Sequence, residues 1–158
     1  MKTTFRVLAM LAISSAIVFA GCKKDDNNDD DIIPTNTSEF SAVIDGVQFT
    51  ETTPGGLLDI DANELNIMGD NSTGTLMVDL NGDIAVGNYT VGSGTTQSIS
   101  WIPESGFSYF ARPGTIVVTK HDVVNNRIEG TFTATLESTL PPTISLTNGV
   151  FKISYTEL

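Results

Sequence analysis

The segment Arg127–Glu137 is the part of the sequence that most narrows the choice of fold. Apolar or small residues alternate with polar ones through its whole length, and the first set is Ile128, Gly130, Phe132, Ala134 and Leu136. A period of two is typical of a β-strand with one face in a core and the other in water. The segment therefore predicts a long antiparallel strand.

The dipeptide Asp45-Gly46 predicts a tight hairpin near the start of the domain. Asp-Gly suits a two-residue hairpin turn, because both central positions of such a turn need positive φ. The turn would pair Ile44 with Val47 and Ala42 with Phe49 on one face. The apolar alternation on both sides of the turn agrees with this register.

Further turns set the expected pairing of the later strands. Across Ala62-Asn63 we expect Leu58 to pair with Ile67 and Ile60 with Leu65. Across Asn81-Gly82-Asp83 we expect Leu80 to pair with Ile84 and Val78 with Val86. At Asn148-Gly149 two interpretations stay open. One is a tight turn that sets Leu146 against Phe151, and the other is a bulge in one continuous strand, since either changes the phase of the alternation.

The fold class follows from the spacing of apolar residues along the whole domain. No segment after residue 36 has the period of an amphipathic helix. We therefore expect an all-β domain over residues 37–158, an antiparallel meander of roughly ten strands. A β-sandwich and a small barrel are both compatible with this pattern, because either closure hides the edges of the sheet.

Residues 1–21 have the physical design of a secretory signal peptide. Lys2 and Arg6 form a short basic start, residues 7–20 are an apolar run, and Ala20 and Gly21 are small. The run is too short for a comfortable membrane span but has the length of a signal-peptide core. We expect this segment to be removed on export.

The residues Phe19-Ala20-Gly21-Cys22 resemble a lipobox, the cleavage and acylation signal of bacterial lipoproteins. Lipoboxes prefer Leu where this chain has Phe19, and the other three positions fit. The resemblance implies cleavage between Gly21 and Cys22, with Cys22 acylated, typically by palmitate, as the first residue of the mature chain. One acyl chain holds a protein to a membrane only marginally, whereas two or more anchor it stably. As the only cysteine, Cys22 has no partner for an internal disulfide.

Residues 22–36 form the predicted tether between the lipidated Cys22 and the folded domain. Their Asn- and Asp-rich run cannot bury apolar surface, so we expect a disordered, solvated and self-repelling segment. Lys24-Asp25-Asp26 resembles the export signal of Bacteroidota surface lipoproteins, which implies an outer-membrane protein that faces the cell exterior. The alternative is a plain hydrophilic linker that holds a periplasmic domain off its membrane.

The folded part, residues 37–158, is similar to an uncharacterised family of β-rich Bacteroidota lipoprotein domains. The resemblance rests on five segments, at residues 40–46, 87–89, 114–120, 128–132 and 147–151. It implies a β fold and an exported location. It brings no activity with it.

Residues able to support catalysis are sparse. His121 is the only histidine, and the sequence contains no GxSxG-type motif around a nucleophile. With Cys22 assigned to lipidation, we expect no catalytic residues, no transition-metal site and no cofactor. A polar residue on a hairpin is the simpler interpretation of His121.

Asp59, Asp61 and Asn63 match the opening of a calcium-binding loop. An EF-hand needs Gly at the sixth position of its loop, where this chain has Glu64. The segment is therefore not an EF-hand, and these three residues remain a weak calcium candidate on a loop.

The densest aromatic cluster supplies the candidate binding residues, which are Trp101, Phe107, Tyr109 and Phe110. Alternation predicts the first three on one face and Phe110 on the other. Core packing is the simpler interpretation, because aromatic side chains dominate small β cores. The functional interpretation is an exposed platform for a glycan ring or a partner protein.

The charge of the chain excludes one class of partner. After residue 36, four basic side chains stand against fourteen acidic ones. This excess repels phosphate, so we expect no nucleic acid partner. The expected function is that of a lipid-anchored, non-catalytic binding or accessory domain for a glycan or a protein. A lipocalin-like carrier of a small apolar ligand and a small hydrolase are the alternatives.

Overall fold

Ten β-strands form the folded part of the chain. The computed structural model describes residues 37–104, 106–139 and 142–158, so the predictions for the signal peptide, Cys22 and Lys24-Asp25-Asp26 lie outside the described residues. The strands are β1 (Glu39–Ile44), β2 (Val47–Glu51), β3 (Gly55–Asp59), β4 (Glu64–Asn71), β5 (Gly74–Asn81), β6 (Gly87–Val91), β7 (Ser98–Pro103), β8 (Tyr109–Asp122), β9 (Arg127–Glu137) and β10 (Ile144–Glu157). These ranges contain no helix long and apolar enough to cross a membrane.

Seven of the strands close into a β-barrel, in the order β10, β3, β4, β5, β7, β8, β9 and back to β10. The predicted all-β fold is confirmed, and of the two closures left open the chain adopts the barrel. The connectivity is not a simple meander, because β3 runs parallel to β10 and pairs Gly56 with Tyr155. The long strands β8 and β10 each pair with two strands in succession on one side, β8 with β7 and β6, and β10 with β1 and β3.

The hairpin of β1 and β2 lies outside the closed ring and is attached to β10 through β1. Its register is the predicted one, with Ile44 opposite Val47 and Ala42 opposite Phe49. The turn residues have φ values of 49° at Asp45 and 81° at Gly46. Positive φ at both positions is the requirement that makes Asp-Gly a hairpin signal.

Side chains fill the interior of the barrel. The Phe132 ring lies 5.8 Å from that of Phe40 and 6.2 Å from that of Phe151, measured between centroids. Ile128 and Leu146 are fully buried and belong to the same hydrophobic core. Gly130 gives the Phe151 ring its place, since a Cβ at residue 130 would overlap that ring. A filled interior leaves the outer surface and the two ends of the barrel for any binding.

The predicted pairing across the turn between β3 and β4 is wrong by two residues. Leu58 pairs with Leu65, and Ile60 lies exposed in the turn at residues 60–63. The Asp59 carboxylate accepts a hydrogen bond from the Ala62 N–H at 2.9 Å. This side-chain bond closes the turn earlier than the apolar alternation indicates.

The predicted hairpin after β5 is also wrong. Leu80 pairs with Leu65 on β4, and Val78 pairs with Ile99 on β7. Both edges of β5 are therefore occupied, and the chain leaves the sheet after residues 81–83. Ile84 is buried without belonging to a strand, and Val86 is exposed.

Asn148-Gly149 is a bulge in one continuous strand, which is the second of the two predicted interpretations. The register of β10 with β9 shifts between Leu146 and Gly149. Asn148 has a φ of 51°, a conformation that Asn tolerates better than most residues. The bulge changes the phase of the alternation without reversing the chain.

Connections gather at the two ends of the barrel. The end called the loop end here carries the turns at residues 45–46 and 72–73 and, among the described residues, 104, 106–108, 138–139 and 142–143. Backbone hydrogen bonds join these parts, from Glu104 N–H to Thr73 O at 3.2 Å and from Asp45 N–H to Ser145 O at 2.8 Å. β1 begins at Glu39, opposite Lys152, and runs toward the loop end. The chain thus enters the barrel away from the loop end.

Candidate functional site

An open depression of about 340 Å³ lies at the loop end. Its residues come from β1, β2, β7, β8, β10 and the turn between β4 and β5, and they are Ile44, Asp45, Val47, Gln48, Phe49, Thr73, Trp101, Pro103, Tyr109 and Ile144. We call this set the loop-end depression. Its volume lies at the small end of the range of ligand sites and suits one large side chain or one ring.

Aromatic and aliphatic groups form the bottom of the loop-end depression. Trp101 and Phe49 are buried and pack edge to face, with centroids 5.5 Å apart and an interplanar angle of 80°. Tyr109 is half-buried and lies opposite Trp101 in the pairing of β7 with β8. Gly74 makes room for the indole, because a Cβ there would lie 2.9 Å from its Cη2 atom. The bottom is thus a closely packed apolar surface.

The rim of the loop-end depression is polar and already hydrogen-bonded within the chain. Thr73 donates from its N–H and its Oγ1 to the Asn71 Oδ1, at 2.8 Å and 2.6 Å. Gln48 donates from Nε2 to the Phe49 carbonyl at 2.9 Å. Asp45 is the one charged residue among the described lining residues. A polar rim around an apolar centre is the usual arrangement of a binding surface.

The four aromatic residues predicted as binding candidates do not lie in one site. Trp101 and Tyr109 line the loop-end depression, Trp101 as a core residue, as the simpler interpretation predicted. Phe107 lies before β8 rather than in a strand and is 62% exposed. Phe110 is 51% exposed on the outer face, where it lines a separate shallow depression. Sequence reasoning missed Val47, which the Asp45-Gly46 turn brings to the same end.

Most of the chain matches a known domain family. Residues 36–153 match a family described as a domain of unknown function, DUF6252. The chain belongs to the DUF6252 family. No curated protein and no solved structure matches the chain. The expected similarity to an uncharacterised domain family is confirmed to this extent.

The weak calcium candidate of the DUF6252 domain, Asp59, Asp61 and Asn63, lies in and beside the turn between β3 and β4, where two of its side chains form hydrogen bonds within the chain. The Asp59 carboxylate accepts the Ala62 N–H, and the Asn63 Nδ2 donates to the Asp83 Oδ1 at 3.1 Å. Asp61 lies exposed in the same turn. In the part of the chain that the structure describes, no group of three or more His, Cys, Asp and Glu side chains is placed to hold a metal ion.

His121 of the DUF6252 domain contacts two other parts of the chain at the far end of the barrel, which is the end opposite the loop end. Its Nδ1 lies 2.8 Å from the Ile84 carbonyl oxygen, and its Nε2 lies 3.0 Å from the Tyr155 Oη. A neutral ring satisfies both contacts when Nδ1–H donates and Nε2 accepts the hydroxyl proton. Burial, followed by the charges of Glu157 and Asp122, raises the pKa of Tyr155, which keeps that hydroxyl protonated. The arrangement fits the predicted structural role of His121.

Proposed function

We propose that this protein is a lipid-anchored lipoprotein of the outer membrane, displayed on the cell surface, whose DUF6252 domain binds a partner at the loop-end depression without catalysis. The observation that carries the binding proposal is the apolar depression built on Trp101 and Tyr109 at the loop end. Aromatic residues in a partly enclosed apolar site supply much of the binding energy in protein interfaces.

The anchor proposal rests on the sequence of the first residues. A basic start, an apolar run and the lipobox-like Phe19-Ala20-Gly21-Cys22 occur in the order that export and acylation require. Lys24-Asp25-Asp26 follows after one further residue and supports surface display.

Binding on the outside is favoured over the carrier alternative by the packed interior. A lipocalin-like carrier needs a chamber inside its barrel, whereas Ile128, Phe132 and Leu146 occupy that space here. The hydrolase alternative gains no support from the depression. Thr73 and Tyr109 carry the hydroxyls among its described lining residues, and that of Thr73 already donates to Asn71.

The anchor is tested by replacing Cys22 with Ala in cells and fractionating their membranes. We expect loss of fatty-acid labelling and release of the protein, because an acylated Cys22 would be its only hold on the lipid. A matched variant with Ala at Lys24, Asp25 and Asp26 should stay lipidated yet become resistant to protease added to intact cells. Membrane retention of Cys22→Ala would contradict the anchor, and unchanged protease sensitivity of the second variant would contradict the export signal.

The binding site is tested by screening the full-length protein against arrayed glycans and displayed peptides, with two matched variants. Val47→Asp places a charge at the loop-end depression, and Val86→Asp places one outside it. The two side chains are 60% and 63% exposed, so neither change should disturb folding. We expect binders that lose affinity for Val47→Asp and keep it for Val86→Asp. Binders that respond equally to both variants would contradict the site.

A further inference from the structure

Strand β2 presents a free edge next to the loop-end depression. In a two-residue hairpin the residues that flank the turn, here Ile44 and Val47, exchange both backbone hydrogen bonds. Ala42 and Phe49 form the next bonded pair, so Gln48 between them directs its N–H and C=O away from β1. In the described ranges β2 forms a strand ladder with β1 alone.

The same edge is closed further along β2. The Thr50 carbonyl, which the alternation also directs outward, accepts a hydrogen bond from the Asn71 Nδ2 at 3.3 Å. The Glu51 Oε2 accepts one from the Asp70 N–H at 2.9 Å. The Thr50 contact agrees with the outward direction that the alternation gives to this carbonyl. Both contacts lie beyond Gln48, so the edge stays open at Gln48, where it borders the depression.

We infer that the partner at the loop-end depression is an extended polypeptide segment that adds to β2 as a further strand. Its backbone pairs with the N–H and C=O of Gln48, and a side chain on the same face as Val47 and Phe49 enters the depression. In such strand addition the backbone bonds supply affinity and the side-chain pocket supplies specificity. This inference rests on the function proposed above and names the class of its ligand.

Two features favour a polypeptide over a glycan. A paired donor and acceptor on a strand edge match a peptide backbone, and the interior of the depression is apolar, which suits a large aliphatic or aromatic side chain. Charge adds a further requirement. Asp45 lines the depression, Glu104 lies beside Thr73, and the domain is strongly acidic. The bound segment should therefore carry Lys or Arg next to its apolar residue.

The experiment uses short peptides selected from a display library against the full-length protein and then synthesised. Gln48→Pro removes the outward N–H at a position where an edge strand tolerates Pro, since no ladder bond is lost. Gln48→Thr is the matched control, because it changes the side chain and keeps the N–H. We expect Gln48→Pro to bind the peptide ~10-fold more weakly than Gln48→Thr, because the two variants both lack the Gln side chain and differ by about one backbone hydrogen bond.

A second measurement needs no change in the protein. N-methylation of the selected peptide at successive residues removes one backbone donor at a time. Strand addition predicts weakened binding when the methyl group falls on the one residue whose N–H donates to the Gln48 carbonyl, because the edge of β2 is closed further along at Thr50.

The outcomes separate this inference from the proposed function. If Gln48→Pro and the methylated peptides bind normally while Val47→Asp abolishes binding, strand addition is wrong and the depression remains the site. If only glycans bind in a Val47-dependent way, the ligand class is wrong and the site remains. If no peptide or glycan depends on Val47, both proposals fail.

Discussion

Replacing Phe132 with Ala tests whether the barrel interior is a packed core. Phe132 is 1% exposed, and its ring lies between those of Phe40 and Phe151 at 5.8 Å and 6.2 Å. Removing a buried phenyl ring costs the lost transfer free energy and the cavity left behind, about 3–5 kcal/mol. That is a large part of the ~5–15 kcal/mol by which small domains are usually stable.

The assay is urea unfolding followed by the fluorescence of Trp101, the only tryptophan of the chain. With a denaturant dependence of about 2 kcal/mol per molar urea, the midpoint of Phe132→Ala should fall by roughly 2 M. Phe110→Ala is the matched control, because Phe110 is 51% exposed and its loss should change the free energy of unfolding by less than about 1 kcal/mol.

A small effect of Phe132→Ala would refute the reasoning. If the free energy of unfolding fell by under about 1 kcal/mol, the ring would not be packed against its neighbours. The interior would then have room for a ligand, and the carrier alternative would regain its basis.

Two predictions concern pH and have opposite signs. Burial raises the pKa of Asp79, so its ionised form destabilises the folded state; the stability that its protonated form contributes is present at acidic pH and is lost as pH rises through the folded-state pKa. Asp79→Asn should therefore be more stable than the wild type at pH ~7, with a difference in thermal unfolding that shrinks as pH falls through the raised folded-state pKa and is lost by about pH 4; lower stability at neutral pH would contradict this. The Thr53 N–H, opposed by burial and assisted by the Asp70 N–H, lowers the pKa of Glu51. Because this half-buried group is still screened by solvent, Glu51→Gln should cost only about 0.5–1 kcal/mol at pH ~7. The stability that ionised Glu51 contributes is lost as pH falls through its folded-state pKa. If Glu51→Gln remained less stable than the wild type at the acid end of the titration, this prediction would be contradicted.

Local pairing was predictable from the sequence where a short turn and a clean alternation coincide. Asp45-Gly46 satisfies both conditions, and its hairpin has the predicted register. For Arg127–Glu137 the alternation alone was enough to predict which face is buried, since all of its inward residues are buried. At Ile60 the alternation continues past the end of the strand, and the bond from Ala62 to the Asp59 carboxylate decides the turn instead.

Long-range pairing was beyond the sequence pattern. The hairpin expected after Asn81 fails because β7, far along the chain, occupies the edge that the hairpin would use. The parallel pairing of β3 with the end of β10 joins segments separated by most of the domain. Alternation describes the two faces of a strand and carries no information about which strand lies beside it.

The candidate site was predictable only in part for the same reason. The aromatic cluster drew attention to Trp101 and Tyr109, which do lie in the loop-end depression. The pattern could not extend across the loop before β8, so Phe107 was assigned to a strand face that it does not share. Val47 and Ile144 come from opposite ends of the domain sequence and meet at the depression. Their meeting could be predicted only from the closed barrel.

The most direct test of the account is amide and indole chemical-shift mapping of the full-length protein as a selected peptide is added. Binding at the loop end predicts the largest shifts at the Gln48 amide, the Trp101 indole and the Tyr109 amide, with slower hydrogen exchange at Gln48. Asn63 and Asn126, in turns at the far end of the barrel, should not respond. Shifts centred on Asn63 and Asn126, with the Gln48 amide and the Trp101 indole unchanged, would contradict the account.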